Sequence, residues 1–106
     1  MIDSELDELR KRSLEVNNDL FFKLARKISV DEMQVACRCM NAINIAIDSD
    51  MLGPAGWSLN RETLLCNRAN LPAFTNQELA KMIGDLIDDV VDYMDARENT
   101  VSKSFF

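Results

Sequence analysis

Hydrophobic residues recur along this chain with the period of a helix. Between Thr75 and Glu98, Leu79, Ile83, Leu86, Val90 and Tyr93 follow one another at intervals of four and three, with Met82, Ile87 and Met94 beside them. That spacing lines one side of a helix turning about 100° per residue. Near the N-terminus Ile2, Leu6, Leu9, Val16 and Leu20 keep a heptad rhythm broken at Ser13, and Leu14, Phe21 and Ile28 form a neighbouring seven-residue row. From Met33 to Ile47 the chain is apolar around most of a helical circumference, with Gln34, Arg38, Asn41 and Asp48 as a narrow polar strip. These patterns predict main helices over about 4–27, 30–50 and 76–98, the second of them central to the core. Asn60 to Ala69 predicts a short helix, with Asn60 as its cap and Leu64, Leu65 and Cys66 turned inward.

Boundary signals sharpen these limits. Ser29 with Glu32, and Thr75 with Glu78, are capping boxes, and each has a candidate hydrophobic staple, Ile28 with Met33 and Phe74 with Leu79. Gly53, Pro54 and Gly56 break the helical pattern between Asp50 and Leu59, leaving a connector from which Trp57 is expected to fold back over the bundle end. Asn70 suits a left-handed helix stop, and Pro72 prevents continuation. The expected architecture is an all-α bundle forming one domain over residues 1–100, followed by a tail, 101–106. Phe105 and Phe106 end that tail, placed either to cover a groove of their own bundle or to dock in a pocket on another protein.

Composition narrows the setting. A hydrophobic fraction of 47% and a charged fraction of 28% belong to an ordinary globular protein. No apolar run reaches the roughly 18 residues of a membrane span, and the first residues lack the form of a signal peptide, so the expected location is cytoplasmic with no membrane partner. Cys37, Cys39 and Cys66, an odd number, point to a reducing compartment and read as small buried hydrophobes. The net charge of −6 argues against direct nucleic-acid binding. Residues 1–27 balance six acids with six bases, whereas 76–106 hold seven acids against three bases, so the acidity belongs mainly to the last helix.

That helix gathers Asp85, Asp88, Asp89 and Asp92 within about a third of a turn, with Asp95 at the edge. Taken alone, like charges one turn apart near the negative end of the helix dipole destabilise it, by on the order of 1–3 kcal/mol in sum. Neutralising Asp88, Asp89, Asp92 and Asp95 to Asn is then expected to raise thermal stability while weakening partner capture. The aspartate side reads as a solvated face or as a surface presented to a basic partner, in the manner of an inhibitor, adaptor or DNA mimic. Asp88, Asp89 and Asp92 also spell D-D-x-x-D, a spacing able to hold magnesium for a helical phosphohydrolase, and this is the alternative. Aspartate-rich helices of this kind occur in isoprenoid synthases and, with glutamates, in small nucleotide pyrophosphohydrolases; the chain is short for the first and lacks the glutamate pattern of the second. Histidine is absent, and no nucleophile motif or phosphate loop occurs, so no catalytic residue and no cofactor is assigned.

Self-association has its own signals. Gly84 stands mid-helix, where it costs roughly 1 kcal/mol relative to Ala, and forms with Ala80 a small pair bordered by Ile87 and Val91. A close helix crossing, to the first helix or to a second copy, would explain it. Ile45 lies on the polar side of the second helix, while Asn44 lies in its apolar arc. The expectation from sequence is a homodimeric, acidic binding or regulatory protein.

Overall fold

The computed structural model describes the backbone of residues 4–48 and 57–104, and side chains over 4–48 and 60–97. Four α-helices build it: α1 (Ser4–Asp19), α2 (Val30–Asp48), α3 (Trp57–Arg68) and α4 (Gln77–Ser104). A π-helical turn, Leu20–Leu24, extends α1, and a 3-10 turn, Leu71–Ala73, precedes α4. No strand occurs among the described residues, so the fold is a small all-α bundle.

Successive helices alternate in direction. Ser13 on α1 meets Asn44 on α2, Cys39 on α2 meets Asn67 on α3, and Arg61 and Arg68 on α3 meet Asp95 and Asp88 on α4. α2 and α4 pack on each other, and each also packs on α1 and α3. The two flanking helices therefore lie on either side of a central pair, and the central pair contains the two most strongly apolar faces read from sequence. Leu79, Ile83, Leu86, Ile87 and Val90 of α4 share one core with Ala36, Cys39, Met40, Ile43 and Ile47 of α2, joined by Leu6, Leu9 and Val16 of α1 and Leu20 of the π turn. Ser13, the break in the α1 rhythm, is the one buried polar residue among the described ones, and its hydroxyl donates to Asn44 Oδ1 at 2.6 Å. Both anomalies of the sequence pattern are thus one satisfied bond between α1 and α2.

Several expected boundaries move. The first helix does not run as α-helix to residue 27: it turns π-helical at Leu20 and ends after Leu24. A π turn holds more residues, so it brings residues four apart nearer to one line. It keeps Leu20 in the core with Leu24 packed against it. α2 begins at Val30 as expected, with Ser29 Oγ accepting the Glu32 N–H at 3.1 Å. α3 begins at Trp57, so Asn60 lies inside the helix rather than at its cap.

Asn70 is right-handed (φ −87°), not left-handed, because its side-chain amide donates to the Cys66 carbonyl at 3.4 Å and the chain passes directly into the 3-10 turn. The cap of α4 is Asn76, whose Oδ1 accepts the Leu79 N–H at 3.0 Å, one residue after the expected Thr75. α4 continues to Ser104, through most of the expected tail, since no Gly or Pro interrupts it. The Trp57 side chain, the connector over 49–56, and Phe105 and Phe106 lie outside the described residues.

Candidate partner-binding surfaces

The aspartates of α4 fan out between the two flanking helices, and each edge of the fan is tied to one of them. Toward α3, Asp88 accepts two hydrogen bonds from Arg68, from Nε at 2.7 Å and from a terminal nitrogen at 2.8 Å, while Asp95 pairs with Arg61 at 3.1 Å. Toward α1, Asp89 pairs with Arg12 at 2.5 Å. In the middle Asp85 pairs with Lys81 of its own helix at 2.6 Å, and Asp92 makes no ion pair among the described residues. Arg61 and Arg68 are seven residues apart, as are Asp88 and Asp95, so two antiparallel helices bring both pairs into register together.

The electrostatics follow from these contacts. The hydrogen bond from Lys81 holds the Asp85 carboxyl below the usual carboxylate range, and the same bond raises the lysine. Arg68 is raised by its hydrogen bonds to Asp88. The repulsion expected from the helix alone is therefore met by cations from α1, α3 and α4 itself, and the paired carboxylates are no longer free charges awaiting a partner.

The magnesium spacing Asp88, Asp89, Asp92 is divided the same way. Two of its three carboxylates turn to opposite flanks and hold arginines, and no group of three potential ligands among the described residues is placed to hold a metal ion. Of the cysteines only Cys39 is fully buried, and burial pushes its thiol up to about 11; Cys37 is half-buried and Cys66 is exposed. Leu65, also expected inside, is exposed, so α3 turns Leu64 alone of its Leu64–Cys66 run into the core.

Of the residues expected to mediate self-association, Ala80, Gly84, Ile87 and Val91 are buried inside the chain's own bundle, and Ile45 alone lies at the surface. Gly84 faces Leu71 of the 3-10 turn and the Arg68 guanidinium rather than α1. A Cβ there would sit 3.6 Å from Leu71 Cδ1 and 3.7 Å from an Arg68 nitrogen, which is ordinary contact. Gly84→Ala is accordingly expected to stabilise the protein by up to about 1 kcal/mol, the helix-propensity difference, in urea unfolding. A loss of stability would restore the close-crossing reading.

Two features of the described surface bear on partner binding. One is an open groove of about 350 Å³ between α1 and α4, lined by Glu5, Glu8, Leu9, Arg12, Asp89 and Asp92. The other is a set of exposed apolar side chains: Phe22 is 85% exposed, Val30 75%, Leu14 61%, Phe21 55%, Ile45 51% and Leu65 42%. Leu14 and Ile45 are the chain neighbours of Ser13 and Asn44, whose side chains bond, so they flank the same α1–α2 seam. The sequence pattern sets Leu14 and Phe21 in a seven-residue row beside that of the core residues, and the structure leaves both exposed. No helix among the described residues is long and apolar enough to cross a membrane. Compared with protein-family models, with curated proteins and with solved structures, the chain matches none.

Proposed function

We propose that this chain is a small acidic binding protein that works through protein–protein contacts, as a homodimer, and that it captures a partner with a basic surface in the cytoplasm. The observation that carries this reading is the set of large apolar side chains left outside a well-filled core, at Leu14, Phe21, Phe22, Val30 and Ile45. Exposed apolar surface of that kind suits association, since burying it against another protein removes it from water at about 25 cal/mol per Å².

The groove beside Asp92 supports the basic partner. Glu5, Glu8, Asp89 and Asp92 line the groove with Arg12 as its single cation, an excess of acids that suits the charged head of a lysine or arginine. The aspartate side thus contributes through Asp92 and its α1 neighbours, while Asp88, Asp89 and Asp95 are occupied within the chain.

Affinity capture from the native host tests this reading, comparing wild type with a Glu8→Lys, Asp92→Lys double variant. A basic protein retained by wild type and lost by the variant is the expected result. Equal retention by both, or no retention by wild type, would remove the basic-partner reading.

A further inference from the structure

The turn that joins α1 to α2 carries apolar and basic side chains on its outer side. Leu20, Leu24 and Ile28, four apart, lie in or against the core, so the residues between them face outward. Phe21, Phe22, Lys23, Arg26 and Lys27 are all exposed, Phe22 the most exposed of the large hydrophobic side chains. Phe22 and Arg26 are four apart, as are Lys23 and Lys27, so the outward rows follow the inward one side by side. Val30, also exposed, continues this corner at the start of α2.

Charge selects what covers it. On a chain of net charge −6, residues 20–30 hold three cations and no acid. The acids that bracket them are placed elsewhere: Asp19 pairs with Lys23 at 3.3 Å and lines the seam between α1 and α4, while Asp31 and Glu32 line a cavity with Asn70 and Phe74 beside the 3-10 turn. Arg26 and Lys27 make no ion pair among the described residues. The occupant that fits is therefore anionic, and it also has to take two phenylalanine rings. The acidic groove of a second copy does not meet that demand, since Leu9 is its single apolar lining residue. A lipid bilayer with anionic headgroups does: rings that project from a convex helical turn enter the acyl boundary while the cations beside them meet headgroup phosphates.

We infer that the outer corner of the α1–α2 turn is a docking surface for an anionic lipid membrane, with Phe21 and Phe22 entering the headgroup boundary and Lys23, Arg26 and Lys27 meeting the lipid phosphates. The contact is peripheral and needs no crossing helix. Two rings and three cations hold a protein reversibly rather than permanently. This surface does not rest on the basic-partner reading: Glu8 of the acidic groove lies roughly 20 Å from Phe22 along the helix.

Co-sedimentation with vesicles tests it, using phosphatidylcholine alone and phosphatidylcholine mixed with phosphatidylserine. Wild type is expected to pellet with the mixed vesicles and to stay in solution with the neutral ones. Phe22→Ser is expected to weaken binding on the order of 10-fold. Lys23→Gln, Arg26→Gln and Lys27→Gln together are expected to weaken it on the order of 100-fold, at about fivefold per charge. All four positions are exposed, and unchanged circular dichroism shows that each variant is folded. Leu65→Ser, which removes an exposed apolar side chain from α3, is expected to leave binding unchanged.

A wild type that stays in solution with the mixed vesicles would overturn the proposal. Equal pelleting with both vesicle types would overturn anionic lipid as the occupant, and an equal loss in Leu65→Ser would overturn the corner as the site. If wild type ignored vesicles but bound immobilised polyglutamate through the same three cations, the corner would belong to an acidic protein instead.

Discussion

Replacing Ile83 with Ala is expected to destabilise the protein by about 3 kcal/mol, the middle of the range for deleting a buried aliphatic side chain. Ile83 is fully buried on α4, the helix that packs against α1, α2, α3 and the 3-10 turn. A cavity there lies in a close-packed core, which relaxes only in part to fill it. In a chain of this size the loss corresponds to a fall in melting temperature of roughly 12–24 °C. Ile45→Ala is the matched control: the same side chain is removed, but from the surface of α2, and the expected change is within about 0.5 kcal/mol. Urea unfolding of both variants, with unchanged denaturant slope, checks the pair. Similar effects at the two positions would mean that α2 and α4 do not form the central layer.

Converting Asp88, Asp89, Asp92 and Asp95 together to Asn is expected to lower stability by about 1–2 kcal/mol, the reverse of the sign expected from the helix alone. Asp88 holds Arg68 through two hydrogen bonds, Asp89 holds Arg12, and Asp95 holds Arg61. All three pairs are partly exposed, so each contributes at most about 1 kcal/mol, and 1 M salt should remove much of the effect. Within the set the single variants divide. Asp88→Asn, Asp89→Asn and Asp95→Asn each lower stability, while Asp92→Asn raises it by a few tenths of a kcal/mol, because it relieves repulsion without breaking a pair. A uniform rise across the four variants would show that the arginines do not engage the fan in solution.

Lys81 and Asp85 add a pH dependence of definite sign. The folded Asp85 carboxyl lies below its ordinary range, so the pair's contribution is present above that range and is lost as acid passes through the lowered value. The raised Lys81 loses its contribution on the alkaline side, as pH climbs through the lysine range.

Much of the fold was legible because it is set locally. The phase of Leu79, Ile83, Leu86 and Val90 identified the buried side of α4, and the Ser29–Glu32 box placed the start of α2 at Val30. Both are properties of one helix, which periodicity and capping chemistry report directly. The start of α4 slipped by one residue because Thr75 and Asn76 are both good caps, and sequence alone does not say which oxygen reaches the Leu79 N–H.

The candidate site was harder to read because its meaning depends on neighbours distant in sequence. On an isolated wheel Asp88, Asp89 and Asp95 are excess charge, and Arg12 lies 77 residues from the carboxylate it meets. The shared seven-residue spacing of Arg61 with Arg68 and Asp88 with Asp95 was present, but it acquires meaning only once α3 and α4 are antiparallel neighbours. Gly84 illustrates the same limit: its small size was visible, while Leu71 and Arg68 as the groups it faces were not. The exposed stripe was hidden differently. Leu14 and Phe21 match a helical period as well as the core residues do, and the sequence pattern does not say which of two adjacent rows is buried.

α4 uses its aspartates to clasp α1 and α3, with Asp92 outside those pairs. A double-mutant cycle between Arg68→Ala and Asp88→Ala, read by urea unfolding, tests it most directly, with Arg68→Ala and Asp92→Ala as the reference cycle. The account predicts a favourable coupling of about 0.5–1 kcal/mol for the first pair and almost none for the second. Equal coupling in both cycles, or none in either, would contradict it.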